Sequence, residues 1–153
     1  MLWLYNAEYL YRNRKHFFYK HTSPLVLAFY YCDEKYNFSE IKLNQKIIAD
    51  ILGVLFPRII EDSIREFLAE HFGLSESVFV EKDFDIDACL LKFKKPEIVA
   101  EIKWKETIGP EDIRKVELNL GKITAKRRIL FVPNKKKIKN KTELEIMDIF
   151  DFI

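Results

Sequence analysis

The sequence predicts one domain of mixed α/β class, in which helices flank a central mixed sheet. Residues 84–91 and 98–104 are apolar runs of strand length, and the lysines and Pro96 between them are typical of a turn. Apolar residues at helical spacing precede this pair over residues 57–73 and follow it after Gly109. A chain of 153 residues with 48% hydrophobic side chains is large enough to bury such a core.

An aromatic segment and two helices are predicted before the paired strands. Residues 1–40 hold 12 of the 22 aromatic side chains. We expect this segment to pack on the core or on a partner, and residues 41–153 to form the domain itself. Apolar spacing predicts one helix over residues 39–55. A second helix begins with Pro57 in its first turn and ends at Gly73.

The remaining elements complete the sheet. A short strand is predicted at residues 78–81, ahead of the paired strands. Gly109-Pro110 begins a further helix, and residues 129–132 form a strand. Residues 144–149 fit either a strand, which we favour, or a helix that begins with a capping box at Thr142.

The most informative feature of the sequence is a group of charged residues on the two paired strands. In a hairpin with its loop at residues 92–96, Asp87 lies opposite Glu101 and Asp85 lies opposite Lys103. Side chains alternate along a strand, so these four share one face. The other face carries Ile86, Ala88, Leu90, Ile98, Ala100, Ile102 and Trp104. Opposed carboxylates repel each other unless a cation lies between them, although an amphipathic hairpin with one solvated face would also carry these charges.

Glu61 on the preceding helix extends this group. At about 100° per residue, Glu61 falls within the apolar face of the helix, whereas Asp62 and Arg65 fall outside it. The face is formed by Ile60, Ile64, Phe67, Leu68 and Phe72. An acid in a first turn can simply complement the helix dipole, but this explains the outward Asp62 better than Glu61. We therefore expect the Glu61 carboxylate to point at the same sheet as Asp87 and Glu101.

These residues resemble the constellation of PD-(D/E)xK nucleases, with a helical acid, a strand acid and a Glu-x-Lys element. Over residues 53–133 the chain also resembles the uncharacterised C-terminal domain of archaeal AAA-type ATPases. The matching pieces are Ile60-Glu61, Asp85-Ile86-Asp87 and Glu101-Ile102-Lys103-Trp104-Lys105. The chain departs at Ile60, where the family has Phe, and at Asp85, where it often has Glu. The resemblance implies a restriction-endonuclease-like core.

The resemblance also implies Mg²⁺- or Mn²⁺-dependent hydrolysis of phosphodiester bonds in nucleic acid, with DNA favoured over RNA. Asp87 and Glu101 would hold the cation, and Glu61 would bind it directly or through water. Lys103 would position the attacking water or neutralise charge on the phosphate. Asp85 is assigned to an ion pair with Lys103 or Lys105.

Basic residues are concentrated between Gly121 and Lys141, where there are nine of them and no acid. Beside a phosphodiesterase-like site, such a stretch would bind the nucleic-acid backbone. Taken alone, it is more simply a solvated lysine-rich loop. The residues predicted to bind nucleic acid are Lys126, Arg127, Arg128, Lys135, Lys136 and Lys137.

Other classes of site are not indicated. Cys32 and Cys89 are isolated, and the three histidines form no ligand spacing, so neither zinc nor a disulfide framework is predicted. The four glycines form no phosphate-binding loop, so no nucleotide cofactor is expected. No signal peptide and no apolar run of about 20 residues is present, which predicts a cytoplasmic protein without a membrane partner.

Three functions remain open. The first is a metal-dependent nuclease, favoured because the acids and the lysine converge. The second is a non-catalytic nucleic-acid-binding or regulatory domain that retains the constellation, binds through the basic stretch and is docked to an ATPase. The third is a structural interaction domain that uses the aromatic N-terminal segment.

Overall fold

The fold is known from a computed structural model that describes residues 4–8, 17–21, 23–40, 42, 44–77, 79–80, 84–105, 107–139 and 141–153. The strands in these ranges are β1 Leu4–Glu8, β2 Phe17–His21, β3 Phe79–Val80, β4 Asp85–Ile86, β5 Ala88–Lys92, β6 Lys95–Ile102, β7 Arg127–Phe131 and β8 Glu145–Met147. The helices are α1 Pro24–Tyr36, α2 Gln45–Phe72 and α3 Pro110–Gly121. Short 3₁₀ turns lie at Lys135–Lys137 and Ile149–Phe152. The predicted mixed α/β class is confirmed.

The central sheet has four strands in the order β5-β6-β7-β8. β5 and β6 are antiparallel, whereas β6, β7 and β8 run parallel, and α3 connects β6 to β7. β1 pairs with β2 and β3 pairs with β4 in two smaller sheets. The segment after α2 runs along the free edge of β5, where Ser75 and Leu91 exchange backbone hydrogen bonds and Cys89 N donates to Ser77 O. This segment shields an edge that would otherwise present unpaired backbone groups.

Both faces of the central sheet are buried. α2 covers one face through Ile64 and Leu68, and α3 covers the other through Ile113 and Val116. On the α2 face lie Ala88, Leu90, Ile98, Ala100, Ile102, Ile129 and Phe131. On the α3 face lie Ile86, Cys89, Leu91, Val99, Leu130 and Val132. The alternative of a hairpin with one solvated face is therefore wrong, because α3 covers the face that carries the charges.

The turn between β5 and β6 is tighter than predicted. Phe93 and Lys94 form a two-residue turn with φ values of 50° and 64°, the left-handed conformation that matches the twist of paired strands. The predicted loop at residues 92–96 is wrong, since Lys92 still pairs with Lys95. The predicted register holds for Ala88, Cys89 and Leu90, opposite Ala100, Val99 and Ile98 respectively. It shifts by one at Leu91, which faces Pro96.

The two helices predicted on either side of Pro57 are one helix, and this boundary prediction was wrong. α2 begins after Asn44, whose side chain accepts a hydrogen bond from Ile47 N, and it continues through Pro57. A proline inside a helix removes one backbone hydrogen bond and costs about 3 kcal/mol. Buried residues on both sides, Leu55 before it and Ile64 after it, offset this cost by packing. The predicted end at Gly73 is confirmed by its left-handed φ of 62°.

The later elements agree with the sequence. α3 begins after Gly109 and buries Ile113, Val116 and Leu120, and β7 covers most of the strand predicted at residues 129–132. Residues 145–147 form a strand, β8, as favoured. The strand predicted at residues 78–81 corresponds to β3, although residues 78 and 81 are outside the described residues. Among the described helices, none combines the length and apolar character needed to cross a bilayer.

The predicted packing of the aromatic N-terminal segment falls partly outside the described residues, which omit 1–3, 9–16 and 22. Within the described part, α1 has no buried residue. Ring contacts within the described residues join Phe29 to Tyr30, Phe29 to Phe38, and Tyr31 to Tyr36.

Candidate active site

The site is built where the strand that carries Asp87 is broken. β4 ends at Ile86, the chain bends at Asp87, and β5 begins at Ala88. Asp87 Oδ2 accepts a hydrogen bond of 2.8 Å from Ile102 N, so the side chain folds back onto the end of β6. Arg65 on α2 donates to the Asp87 carbonyl at 2.8 Å. These two contacts hold the bend from both sides.

Two predictions were wrong because of this bend. The ladder of β5 and β6 ends with Ala88 opposite Ala100, so Asp87 reaches β6 through its side chain instead of pairing with Glu101 as a ladder neighbour. Strict alternation required Ile86 and Ala88 to share one face of the sheet. Instead, Ile86 lies on the α3 face and Ala88 lies on the α2 face. One residue in a bent conformation shifts the period-two pattern, which explains both differences.

Glu101 is the most buried acid of the site, with 8% of its surface exposed. Its Oε1 accepts a hydrogen bond of 2.5 Å from Lys103 Nζ, which forms a partly buried ion pair. Its Oε2 is buried and has no hydrogen-bond partner among the described residues. A buried carboxylate oxygen without a partner costs free energy, so this oxygen is ready to accept a ligand.

Lys103 and Lys105 do not pair with Asp85, and that prediction was wrong. Lys103 pairs with Glu101, and Lys105 pairs with Asp112 at 2.8 Å. Asp112 in the first turn of α3 also accepts from Gly109 N at 3.0 Å. Because α3 covers this face of the sheet, its first turn presents the nearer acid to Lys105.

Glu61 approaches the same centre from α2. Burial raises the pKa of Glu61 to about 7, and the charge of Asp87 adds to that rise, while Lys103 opposes it. Asp62 and Glu101 contribute smaller repulsions. The expectation that Glu61 is directed toward Asp87 and Glu101 is consistent with this electrostatic coupling.

The site carries excess negative charge. Burial raises the pKa of Asp87, against the hydrogen bond from Ile102 N, and burial followed by repulsion from Asp87 raises the pKa of Glu101. For Lys103, burial acts to lower the pKa, but the hydrogen bond to Glu101 and the nearby acids outweigh it and raise the pKa. Burial, the largest cause for the three acids, favours their neutral forms, and the repulsion of Glu61 and Glu101 by Asp87 is the part of the pKa shifts that a bound cation would relieve.

We expect the metal-free protein to lose stability as pH rises. The folded pKa of Glu61 is about 7 and its ordinary value is 4.5, so between these values the folded state binds a proton that the unfolded chain has released. The free energy of unfolding therefore falls across this window. In the presence of EDTA, the melting temperature at about pH 5 should exceed that at about pH 8. Glu61→Gln should reduce the difference, and a wild-type melting temperature that is flat or rising across the window would contradict the expectation.

A cavity of about 480 Å³ lies at the end of β6, and Glu61, Asp85, Glu101 and Lys103 line it, whereas Asp87 is not among its lining residues. Residues that the sequence had not assigned to the metal or catalytic site also line it: Pro57 from α2, Phe84, Lys105, and Asp112, Lys115, Val116 and Asn119 from α3. Trp104, which was predicted on the opposite face of the hairpin, lines the cavity as well. Arg65 was also missed, because helical spacing placed it outside the buried face. The sequence contained no signal for its contact with the Asp87 carbonyl.

The predicted nucleic-acid-binding residues do not form one free basic surface. Lys126 pairs with Glu97 at 2.8 Å, Arg127 pairs with Glu145 at 2.6 Å, and Lys135 pairs with Asp151. Arg128 donates to the backbone carbonyls of Leu120 and Ile123. Lys136 and Lys137 are exposed, in a 3₁₀ turn.

Lys126 is also far from the acids along the sheet. Its backbone N–H donates to Glu97 O at the beginning of β6, whereas Glu101 lies near the end of that strand. Because four residues of strand span about 13 Å, the backbone of Lys126 lies about that far from Glu101 along β6.

Two of the acids offer the oxygen donors that a hydrated divalent cation prefers. In the described part of the chain, no group of three or more acidic, histidine or cysteine side chains is placed so that it could hold a metal ion. Mg²⁺ is commonly held by one or two carboxylates while keeping several waters. The free Oε2 of Glu101, with Asp87 coupled to it electrostatically, provides oxygen donors of this kind.

Comparisons with protein-family models, with curated proteins and with solved structures found no match to this chain.

Proposed function

We propose that this domain hydrolyses phosphodiester bonds in nucleic acid with the help of Mg²⁺ or Mn²⁺, with DNA as the favoured substrate. The observation that carries the proposal is the convergence of Glu61, Glu101 and Lys103 at one cavity, with Asp87 coupled to these acids electrostatically and the Glu101 Oε2 atom buried and unpartnered among the described residues. In an ordinary structural ion pair, each buried carboxylate oxygen has a hydrogen-bond partner. In this cluster the Glu101 Oε2 atom has none among the described residues, and the three acids outnumber Lys103.

Asp87 and Glu101 would hold the cation, and Glu61 would assist directly or through water. When bound there, the metal would lower the pKa of a coordinated water and stabilise charge that develops on the phosphate. Asp87 is fixed for this role by Ile102 N at its side chain and by Arg65 at its carbonyl. The chain therefore supplies a preorganised acid at the end of the sheet.

Lys103 would serve the reaction through its charge. Its Nζ lies 2.5 Å from Glu101 Oε1, so the ammonium is held beside the acids while its side chain remains about one-third exposed to the cavity. With Glu101 holding the cation, the Lys103 ammonium would donate to a phosphate oxygen or to the attacking water. The raised pKa of Lys103, caused by Glu101 and the other acids despite burial, keeps it protonated.

The backbone of the nucleic acid has fewer free lysines to bind than the sequence indicated. Lys126, Arg127 and Lys135 are engaged in ion pairs, whereas Lys136 and Lys137 are exposed. Within the cavity, Lys115 adds positive charge beside the acids, and Lys105 does so while pairing with Asp112 at 2.8 Å. We propose that the phosphates nearest the scissile bond are bound by these cavity lysines, and that the exposed 3₁₀ turn makes more distant contacts.

The proposal is tested by incubating the protein with single-stranded and duplex DNA and RNA, in Mg²⁺, in Mn²⁺ and in EDTA. Cleavage that requires the divalent ion is the expected result. An AAA-type ATPase is the proposed partner, so the same assay is repeated with such an ATPase present. If no substrate is cut under any of these conditions, the domain is better explained as a non-catalytic regulatory module.

A further inference from the structure

A second cavity adjoins the charged one and differs from it in chemistry. It has a volume of about 450 Å³ and is lined by Leu52, Gly53, Phe56, Pro57, Ile60 and Trp104. All of these side chains are apolar apart from the indole N–H of Trp104. Leu52, Phe56 and Trp104 are 53%, 55% and 47% exposed. Concave, mostly apolar cavities of this size are typical of small-ligand sites.

The apolar cavity borders the charged cavity. Pro57 and Trp104 line both of them. Lys103 and Trp104 both line the charged cavity, so a ligand bound there can reach the ammonium and the indole ring. A ligand that occupies both cavities would need a negatively charged end beside the cation and the lysines. Its other end would be flat and apolar, against Trp104 and Phe56.

A nucleotide in a single strand has this composition, with a phosphate joined to an aromatic base. We infer that the groove formed by Leu52, Phe56, Pro57, Ile60 and Trp104 is a base-binding subsite for an unpaired nucleotide next to the scissile phosphate. Aromatic side chains bind single strands by stacking on the bases, without requiring a particular sequence. A base inside a duplex would have to leave its stack to enter the groove. The substrate class is therefore single-stranded nucleic acid or an unpaired end.

This inference rests on the proposed function for the position of the phosphate, but binding is measured without turnover. The chain has two tryptophans, so Trp3→Phe leaves Trp104 as the only indole that reports by fluorescence. Lys103→Ala is added to prevent cleavage. A short oligothymidylate, titrated in Mg²⁺, should quench the Trp104 fluorescence, and a matched blunt duplex should do so much less.

Substitution of the ring gives the second measurement. Trp104→Ala should weaken oligothymidylate binding by about tenfold or more, the effect of losing one base stack. Trp104→Phe keeps an aromatic ring and should restore most of the affinity. Phe150→Ala is the control, because Phe150 is an exposed aromatic ring that lines neither cavity. Its affinity should equal that of the wild type.

The outcomes separate this inference from the proposed function. If divalent-dependent cleavage occurs but Trp104→Ala binds and cuts single strands as the wild type does, the subsite is wrong and the function stands. If no cleavage occurs but oligothymidylate quenches Trp104 and Trp104→Ala binds weakly, the subsite stands without the hydrolysis. Quenching that depends on protein concentration and not on oligothymidylate would overturn the subsite in favour of contact between two copies of the chain.

Discussion

Lys103→Ala is expected to lower divalent-dependent cleavage by at least about a hundredfold, the usual effect of removing one group that stabilises charge in a transition state. Lys103 is the basic group in direct contact with Glu101, so its loss removes positive charge from the position that the phosphate would occupy. The measurement is the initial rate of cleavage in Mg²⁺, with the fold checked by circular dichroism.

Lys103→Ala should also destabilise the fold, so a loss of activity must be distinguished from a loss of stability. Without Lys103, both carboxylate oxygens of Glu101 lack a hydrogen-bond partner among the described residues. The loss of this partly buried pair should cost about 1–2 kcal/mol in metal-free protein. Lys103→Met, which keeps the aliphatic stem, provides a second variant in case Lys103→Ala fails to fold.

Lys105→Ala is the matched control for charge. Lys105 lines the same cavity, but its partner is Asp112 in α3. Its removal should raise KM and leave kcat nearly unchanged, because it contacts none of the acids that hold the cation. Undiminished cleavage by both Lys103 variants would show that the activity comes from a different site or from a contaminant.

Asp87→Asn is expected to abolish most of the stabilisation that Mg²⁺ or Mn²⁺ gives to the wild-type protein. A ligand bound only by the folded state stabilises it by about 1.4 kcal/mol at ten times Kd. For a chain of this size, that free energy raises the melting temperature by about 3–6 °C. Asparagine retains an oxygen that accepts from Ile102 N but carries no charge, so the bend at residue 87 should persist while metal binding fails.

The metal-free form of Asp87→Asn should be as stable as the wild type or more so. Repulsion from Asp87 helps to raise the pKa values of Glu61 and Glu101, and the substitution removes that repulsion. Asp85→Asn is the matched control, because the same chemical change is made two residues away at an exposed position. It should keep most of the metal response. Equal responses to metal in the wild type and in Asp87→Asn would exclude Asp87 as a ligand.

The fold was predictable where local patterns and tertiary packing favour the same structure. α3 follows the apolar spacing that begins after Gly109, and Gly73 ends α2 because a left-handed residue is needed there. Cys89 faces Val99 as predicted, because a register shift between Leu90 and Leu91 compensates for a turn that is tighter than the predicted loop. Pro57 shows the limit of local rules. Its preference for a helix start was overridden by buried residues on both sides of it.

The site was predictable as a set of residues but not as a geometry. Glu61, Glu101 and Lys103 line one cavity, and Asp87 is coupled to them electrostatically. The hydrogen bond from Ile102 N to Asp87 depends on a bend that strict strand alternation does not describe. The pairing of Lys105 with Asp112 depends on where α3 packs.

The sequence by itself determined the class of the fold, the two strands that carry the acids, and the four residues of the candidate centre, because periodicity and spacing act over short stretches of chain. Only the tertiary structure decided the partners of those residues. It placed Arg65 against the Asp87 carbonyl, engaged Lys126, Arg127 and Lys135 in ion pairs, and brought Trp104 to the wall between a charged and an apolar cavity. These contacts join residues far apart in the chain, and their energies depend on distance and burial in the folded protein.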